Sequence, residues 1–512
     1  MKGQTISSLL STQANLRGEH VAVLFDDLEL TWGQLHQLAL SMSTMLRKRG
    51  IKKGDRVALV CGNRPAFLVV WFALANLGAI TVCVNTSLVG DGLRYVLTHS
   101  EPRALIIDSV LFEEKHQHLD GLVSSMDILT FGVDSELFAE LKNFEPDLPY
   151  DGHGSDPVSI MYTSGTTGRP KGVLNCHEAF LASGRQMIQT LGITQADRIM
   201  VFLPLFHANP QMYAVMSALQ TGCSIVLRPK FSVSRFFEDA RRFNCTMFTY
   251  VGTVLSMLTN RLPDGDRNHG ITRCVGGGCP SSAWRTLEEY FGIKPYELYG
   301  MTEIGGWVTS NSMQNYRFGS CGKSRQDVAV SIVDEHDMPV DAGQTGEIVV
   351  RPMAPFVFLL GYWNDPATMW SSATNFWFHT GDIGSLDKDG YLYFHGRLKE
   401  IIRRGGENIS PFEIEAALLK FPAISDAAVI AVPDPIYGEE IKAYLVASDE
   451  TGLSKLTNFL SHHIPAHMVP RYVQFVEKIP RTETEKIQRH LLVADTNKTI
   501  DLKALDQHAP HS

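Results

Sequence analysis

The chain has 512 residues, of which 44% are hydrophobic and 20% charged, and its formal net charge is −9. A chain of this length exceeds the size at which a single hydrophobic core stops growing, so we expect at least two domains. The acidic balance disfavours a general nucleic-acid-binding protein, because such proteins neutralise phosphates with an excess of Lys and Arg.

The beginning of the chain and its cysteines both predict a cytoplasmic protein. The first twenty residues, MKGQTISSLLSTQANLRGEH, lack the continuous apolar segment of a signal peptide. The eight cysteines include no CxxC pair and no spacing suited to a zinc site. We interpret all of them as reduced thiols: Cys61, Cys83, Cys176, Cys223, Cys245, Cys274, Cys279 and Cys321.

The stretch at 65–85 resembles a membrane span, because it carries no charge and has the length needed to cross a bilayer. Asn76 and Gly78 interrupt it, however, and the β-rich segment AITVCV follows the glycine. This pattern favours a buried helix, a glycine stop and then a buried strand.

The first half of the chain alternates short apolar runs with helical patterns. Examples of the runs are RVALVCG, AITVCV and ALIID, and the rhythm recurs at 158–161, 224–227 and 246–250. It predicts the α/β class, with layers of helices on largely parallel sheets. From about Gly319 closely spaced strands and turns replace this rhythm, which predicts a β-rich subdomain that closes a large N-terminal domain.

A second boundary is predicted near 396–406, where GRLKEIIRRGG combines charge and glycine before a new helix. Beyond it, the patterns predict a small α+β domain with a helix at 411–420, strands at 427–432 and 442–446, and a helix near 456–463. We therefore predict a large domain over 1–398, a small mobile domain over 399–490 and a flexible tail over 491–512.

The strongest chemical signal is YTSGTTGRPKG at 162–172, which directly follows the apolar strand VSIM. Hydroxyl residues alternate with glycines there, so backbone amides and hydroxyl donors can converge on anionic oxygens. The order of a Walker A loop is absent. Composition alone would fit a Ser/Thr/Gly surface turn, but the length and regularity of the run favour a phosphate-binding loop. Its candidate residues are Thr163, Ser164, Gly165, Thr166, Thr167, Gly168 and Lys171.

Further motifs follow in order along the chain. They are GGGCP at 276–280, YELYGMTE at 296–303, WFHTGD ending at Asp382, GRLKEI starting at Gly396, and IPRTETEKIQR containing Lys486. Together with the loop, they resemble the motifs of the adenylate-forming enzymes, which include acyl-CoA synthetases, luciferases and the adenylation domains of peptide synthetases. The resemblance covers nearly the whole chain. Around His207 the sequence is similar to carnitine and crotonobetaine CoA ligases.

The resemblance implies that the chain binds ATP. The GGGCP turn would lie beside the adenine ring, with Tyr299 stacked on its other face, and glycine suits a flat ring because no Cβ blocks close approach. The residues assigned to this part of the nucleotide site are Gly276, Gly277, Gly278, Cys279, Pro280, Tyr299 and Gly300.

The phosphates and the ribose would be bound by four further residues. Thr302 would contact the phosphate, and Glu303 would help to hold Mg²⁺, since a carboxylate among phosphates needs a cation between them. Asp382 would accept hydrogen bonds from both ribose hydroxyls, and Arg397 would also reach the nucleotide. Outside these motifs, each residue would be read as an ordinary surface or turn residue.

The resemblance makes Lys486 the catalytic lysine of the small domain. A carboxylate that attacks an α-phosphate brings two anions together, so a lysine that bridges both would stabilise the developing charge and hold the in-line geometry. Glu485 departs from the family pattern, in which glycine is usual at this position. A neighbouring acid alters the charge environment of the lysine and bears on adenylation.

The resemblance also implies coenzyme A as the acyl acceptor and a small domain that swings about a hinge. Lys399 matches the hinge, and Gly405 and Gly406 match the face that forms a tunnel for pantetheine. Glycine suits both a narrow channel and a mobile segment.

His207, in FLPLFHANPQ, matches a family position that lines the acyl pocket or gates its contact with the thiol tunnel. Without that motif it would be read as an ordinary core or surface histidine. Further candidates for the pocket wall are small and largely apolar: Val251, Gly252, Thr253, Gly300, Met301 and Gly305. Such a lining suits a short or medium acyl chain, or a small ring, better than a charged side chain.

We therefore predict an AMP-forming acid–thiol ligase, an acyl-CoA synthetase that converts a small carboxylic acid to an acyl-AMP and then to an acyl-CoA thioester. A ligase that loads a carrier protein and a light-emitting oxygenase remain open as alternatives. A degenerate member that binds nucleotide or acyl ligand without turnover is the non-enzyme alternative. The intact Lys171, Glu303, Asp382, Arg397 and Lys486 argue against it. The acid and the oligomeric state, including a homodimer, stay open.

Overall fold

The computed structural model describes residues 4–119, 121, 126–163, 170–262, 264–404, 407–447, 453–481, 487–494, 496–497 and 499–502. The chain divides into two units. The first comprises Met1–Val330, Val350–Phe378 and Gly390–Leu392, and the second comprises Ser331–Val349, His379–Asp389 and Tyr393–Ser512. Both contain helices and sheets, which confirms the predicted α/β class.

The helices are α1 Ile6–Arg17, α2 Trp32–Lys48, α3 Pro65–Leu77, α4 Gly90–Ser100, α5 Ser109–Leu119, α6 Asp134–Leu141, α7 His177–Leu191, α8 Met216–Thr221, α9 Val233–Arg242, α10 Gly252–Arg261, α11 Ser281–Thr286, α12 Pro366–Ser371, α13 Pro411–Leu418 and α14 Leu453–Ser461. Local sequence sets several of their starts. Thr5 and Thr31 begin α1 and α2 with capping boxes, in which each threonine side chain and a residue three positions later satisfy backbone amides reciprocally.

The strands of the N-terminal part are β1 Val21–Phe25, β2 Leu28–Thr31, β3 Arg56–Val60, β4 Ile80–Cys83, β5 Ala104–Asp108, β6 Asp127–Phe131, β7 Pro157–Thr163, β8 Lys171–Cys176, β9 Arg198–Val201, β10 Ser224–Leu227, β11 Met247–Val251, β12 Arg273–Gly277, β13 Lys294–Tyr299, β14 Thr309–Ser310 and β15 Lys323–Ser324. The later strands are β16 Val328–Val333, β17 Gly346–Pro352, β18 Gly361–Tyr362, β19 Phe378–Leu386, β20 Leu392–Arg397, β21 Ile402–Arg404, β22 Glu407–Ile409, β23 Ile424–Asp434, β24 Gly438–Ala447, β25 Tyr472–Phe475 and β26 Ile500–Asp501.

Two large sheets form the first unit. One has nine strands in the order β15-β14-β13-β12-β11-β9-β10-β1-β2, and the other has seven in the order β18-β8-β7-β4-β3-β5-β6. The central pairs of both sheets are parallel, whereas β2, β8, β14, β15 and β18 pair antiparallel at or near the edges. The sequence prediction of largely parallel sheets is therefore confirmed.

The apolar stretch at 65–85 folds as its sequence predicts. All thirteen residues of α3 are buried, Gly78 ends the helix with a φ of 66°, and the buried strand β4 follows. Gly78 suits this left-handed position because it has no Cβ. Within the described residues, no helix is both long enough and apolar enough to cross a membrane.

The second unit contains most of a four-stranded sheet in the order β16-β17-β19-β20, which lies in the region predicted to be β-rich. A six-stranded sheet has the order β22-β21-β24-β25-β26, and β23 pairs with β24. The predicted helices and strands beyond residue 411 correspond to α13, β23, β24 and α14. Because the unit also includes residues before 399, the domain boundary at 398 stays a prediction.

The predicted tail is in part an element of this sheet. Ile500 pairs with Val473 of β25, the Leu502 amide donates to the Arg471 carbonyl over 2.8 Å, and Leu502 is 3% exposed. Two ladder pairings, the buried Leu502 side chain and an ion pair between Arg471 and Asp501 therefore hold these residues on the sheet. Residues 503–512 lie outside the described part of the chain.

Candidate active site

The last residue of β7 contacts the acid of the YGMTE motif. The Thr163 hydroxyl donates to Glu303 Oε1 over 3.0 Å, and the Tyr362 hydroxyl donates to the same oxygen over 3.4 Å. Thr302 and Glu303 lie in a short 3-10 helix, Thr302–Ile304, and Glu303 is 4% exposed. The structure thus brings together two motifs that are 140 residues apart in the chain.

The phosphate loop is described at its two ends. Thr163 of β7 pairs antiparallel with Lys171 of β8, so these two residues lie opposite each other on neighbouring strands. Ser164, Gly165, Thr166, Thr167 and Gly168 lie outside the described residues.

Tyr362 contacts both Lys171 and Glu303. The Lys171 Nζ atom is 5.3 Å from the centre of the Tyr362 ring, a cation–π distance. Burial first, and then the nearby charge of Glu303, raises the pKa of Tyr362 far above its usual value, so the phenol stays protonated and can donate. Lys171 also borders a cavity of about 310 Å³ that Tyr95, His99 and Trp363 help to line. No sequence motif singled out Tyr362.

A buried carboxylate holds the turn that follows β12. Glu297 Oε1 accepts a hydrogen bond from the Gly278 amide over 2.5 Å, and Oε2 accepts one from the Cys279 amide over 3.0 Å. The Tyr250 hydroxyl also donates to Oε2, over 2.7 Å. Burial raises the pKa of Glu297 from 4.5 to about 7. Glu297 is part of the YELYGMTE motif, but nothing in the sequence indicates that it supports the turn.

Three of the candidates for the acyl pocket lie at the end of β11. Val251 pairs in register with Gly277 of the turn, and Gly252 and Thr253 begin α10 directly after it. The Asn209 side chain, two residues after His207, donates to the Tyr250 carbonyl over 3.1 Å. The segment that carries His207 is therefore tied to the strand end that carries Val251, Gly252 and Thr253.

A π-helix, Asn209–Val215, follows His207, and such i→i+5 turns are frequent at functional sites. The His207 ring packs on the Phe206 ring, with the ring centroids 4.5 Å apart.

Tyr299 is 6% exposed at the end of β13, and Gly300 and Met301 connect it to the short helix that contains Glu303.

Asp382 and Arg397 lie together in the second unit. Arg397 Nε is 3.4 Å from Asp382 Oδ1, and Asp382 is 5% exposed. The Gly381 amide donates to Glu347 Oε1 over 2.9 Å, and His379 Nδ1 lies 2.9 Å from Glu347 Oε2. Glu347 therefore fixes the backbone directly before Asp382, a contact that no sequence signal indicated.

The segment that carries Lys486 is described only at its ends. Arg481 and Ile487 form an antiparallel bridge, and the Gln488 amide donates to the Pro480 carbonyl over 2.8 Å. Arg489 makes two hydrogen bonds to the Glu415 carboxylate, at 2.6 and 2.8 Å. Both ends of the segment are thus anchored to the second unit.

Four further residues predicted for the site belong to this unit. Lys399 lies in a short 3-10 helix, Leu398–Glu400. Lys486 itself, together with Gly405 and Gly406, lies outside the described residues.

Two family models match the chain. The model described as AMP-binding enzyme matches residues 10–363, and the model described as AMP-binding enzyme C-terminal domain matches residues 413–486.

Relatives and solved structures match over almost the whole length. A crotonobetaine/carnitine–CoA ligase of Salmonella paratyphi C is 29% identical over 95% of this chain and 98% of its own length. A 2-succinylbenzoate–CoA ligase of Bacillus licheniformis is 32% identical over 94% and 98%. An anthranilate CoA ligase in complex with anthranoyl-AMP superposes with a TM-score of 0.88 at 26% identity, covering 96% of each chain. The o-succinylbenzoate CoA synthetase of Bacillus subtilis, bound to its acyl-adenylate, gives 0.86 at 28% identity, covering 98% of this chain and 100% of its own.

Proposed function

The chain belongs to the AMP-binding enzyme family, and on that premise we propose that it is an ATP-dependent acyl-CoA synthetase for a small carboxylic acid. The observation that carries the proposal is the hydrogen bond from Thr163 to Glu303, because it brings the phosphate loop to the acid that would face the phosphates. The relatives are acid–thiol ligases by name, which supports the same reaction class.

The first half-reaction forms the acyl adenylate. A carboxylate oxygen of the acid attacks the α-phosphorus of ATP, the bond to the β-phosphate oxygen breaks, and pyrophosphate leaves. Thr163 and Lys171 would bind and orient the phosphates, and Thr302 would donate to the α-phosphate. Lys486 would bridge the two anions and reduce their repulsion.

The donor chemistry around Glu303 fits Mg²⁺. The carboxylate is buried beside the hydroxyls of Thr163 and Tyr362, and hard oxygen groups are what this ion prefers. Among the described residues, no group of three or more His, Cys, Asp or Glu side chains could hold a metal ion. Glu303 would thus supply one ligand and the phosphates the others. When bound, Mg²⁺ supplies positive charge that neutralises the phosphates.

The second half-reaction transfers the acyl group. The sulfur of coenzyme A attacks the acyl carbon, the bond to the AMP oxygen breaks, and the thiol proton is lost to solvent. We assign the hinge of this step to Lys399 and the pantetheine tunnel to Gly405 and Gly406, on the match of their motifs. Asp382 would hold the ribose, and Arg397, which lies 3.4 Å from it, would steady that carboxylate and reach the nucleotide.

We place the enzyme in the cytoplasm. All eight cysteines are free thiols, and seven of them are buried. This is the state that a reducing compartment maintains.

The test is a pyrophosphate-release assay of the purified protein with ATP, Mg²⁺ and a panel of small straight-chain and aromatic carboxylic acids, each with and without coenzyme A. Acid-dependent release that becomes multi-turnover with coenzyme A establishes the synthetase. Release that stalls after one turnover with coenzyme A present indicates a carrier protein as acceptor. ATP binding without release from any acid contradicts the proposal and favours a degenerate member.

A further inference from the structure

Three successive carbonyl groups, in residues 305–307, each accept a hydrogen bond from a buried side chain. Arg325 Nη1 donates to the Gly305 carbonyl over 3.3 Å and to the Trp307 carbonyl over 2.8 Å. The Tyr213 hydroxyl donates to the intervening Gly306 carbonyl over 2.6 Å. Residues 305–307, named here the clamped segment, are thus held at every position.

Both donors belong to the protein interior. The Arg325 side chain has no exposed surface, and Tyr213 is 5% exposed. Arg325 Nε lies 2.7 Å from Asp327 Oδ1, which offsets the cost of burying its charge. The guanidinium of Arg325 can serve the Gly305 and Trp307 carbonyls through Nη1 and Asp327 through Nε, because its N–H donors form a rigid planar group.

The clamped segment needs such external support. Gly305 has a φ of 73° and Gly306 a φ of 86°, so two consecutive residues have the left-handed conformation. Glycine populates this region and many others with similar ease, so the backbone by itself does not select one shape. The hydrogen bonds from Arg325 and Tyr213 therefore determine where the segment lies.

The segment packs directly against two of the residues assigned to the acyl pocket, Gly300 and Met301. A Cβ atom on Gly300 would lie 2.1 Å from the Gly306 carbonyl oxygen and 2.4 Å from the Trp307 Cα atom. The Gly306 amide donates to the Met301 carbonyl over 3.1 Å. Gly300 and Met301 therefore cannot shift toward the clamped segment unless that segment moves with them.

We propose that Arg325 and Tyr213 are positioning residues that fix the width of the acyl pocket and so restrict the enzyme to small acids. Neither residue contacts the acid; both act through the clamped segment. The inference rests on the proposed function, because it takes Gly300, Met301 and Gly305 as the pocket wall.

The test uses Tyr213→Phe and Arg325→Lys in the full-length enzyme. Tyr213→Phe removes a single oxygen, and Arg325→Lys keeps the charge beside Asp327 but loses the fork. Tyr444→Phe is the matched control, because the hydroxyl of this buried tyrosine also donates to a backbone carbonyl, that of Val493, over 2.6 Å.

Pyrophosphate release is measured with straight-chain acids of increasing length. Each test variant should raise KM for the acid that the wild type prefers by about tenfold, the equivalent of one lost hydrogen bond of roughly 1.4 kcal/mol, and should shift the preference toward longer acids. KM for ATP should change by less than about twofold. A purely structural role would lower activity with all acids in proportion, and that result overturns the proposal.

Hydrogen–deuterium exchange of the amides at 304–308 tests, without any substrate, whether Arg325 and Tyr213 hold the clamped segment in place. These amides should exchange at least about tenfold faster in both test variants and at the wild-type rate in Tyr444→Phe. Unchanged exchange overturns the clamp, even if the variants are active. A wild type that activates no acid refutes the proposed function, while the exchange rates still decide whether the clamp exists. If Arg325→Lys does not fold, Tyr213→Phe alone decides both questions.

Discussion

The Tyr250 hydroxyl donates a hydrogen bond to Glu297 Oε2 over 2.7 Å, at the end of the strand that precedes the acyl-site candidates. The same carboxylate accepts the amides of Gly278 and Cys279. Glu297 is therefore surrounded by three donors, and two of them are backbone N–H groups that cannot reverse their role.

Glu297→Gln should raise KM for ATP by about tenfold, because one side of an amide is a donor and would face a backbone N–H in either orientation. The turn assigned to adenine would then lose one of its two supports. The measurement is pyrophosphate release against ATP concentration at pH 8. Glu288→Gln is the control, since exposed Glu288 accepts a hydrogen bond from the Tyr316 hydroxyl at 2.6 Å, which a glutamine can also accept. Equal KM values in all three proteins contradict the assignment.

The stability of the protein should fall as Glu297 ionises. Burial raises its pKa to about 7 from 4.5, so between these values the folded state holds a proton that the unfolded chain has released. The contribution to the free energy of unfolding is thus full below about pH 4.5 and is lost as pH rises through 7. Burial also raises the pKa of Tyr250, Cys274 and Cys279 well above their usual values, so they stay neutral in this window.

Urea denaturation of the wild type and Glu297→Gln at pH 5 and pH 8 measures this effect. Relative to the variant, the wild type should lose on the order of 3 kcal/mol between the two values, since each pKa unit corresponds to about 1.4 kcal/mol. Other titrating groups are common to both proteins and cancel in the difference. A constant difference between the two proteins rules out the raised pKa.

Glu303→Gln should separate the shape of the site from its charge. Glutamine can still accept the Thr163 hydroxyl, but it no longer carries the negative charge that Mg²⁺ requires. Pyrophosphate release at saturating ATP should fall by about a hundredfold or more, and half-saturation by Mg²⁺ should rise by about tenfold. In Tyr362→Phe the longer hydrogen bond is lost while the ring beside Lys171 stays, so a loss below about threefold is expected. An unchanged Mg²⁺ dependence in Glu303→Gln would count against the metal role.

Local sequence patterns predicted much of the fold. The stretch at 65–85 could be interpreted correctly because twelve apolar residues and Asn76 form one helix that a glycine and a buried strand follow directly, and this order distinguishes α3 and β4 from a membrane span. Thr163 and Glu303 could be assigned because each belongs to a recognisable motif. Their contact adds the geometry that neither motif contains.

The residues that support the site were beyond sequence reasoning. Tyr362 reaches Glu303 from 59 positions away, and Tyr250 reaches Glu297 from 47. Arg325 acts on carbonyl groups, which every residue possesses, so its partners leave no trace in residue type. Such contacts arise when separate sheets and loops pack together, whereas sequence periodicity reports only which side of one element is buried.

Lys486→Ala should abolish adenylate formation yet leave the conversion of a supplied acyl adenylate to the thioester largely intact. The ends of its segment are held by the Arg481–Ile487 bridge and by Arg489 on Glu415, so the substitution should remove an amine without releasing the backbone. Lys478→Ala, which replaces an exposed lysine of the same unit, is the control and should retain both half-reactions.

Gly406→Leu should show the opposite pattern to Lys486→Ala, because a branched side chain in the assigned tunnel obstructs pantetheine but not ATP. Both half-reactions are followed separately, by pyrophosphate release without coenzyme A and by thioester formation from synthetic acyl-AMP. Equal loss of both in Lys486→Ala would mean that one arrangement of the second unit serves both steps, which removes the reason for a hinge at Lys399.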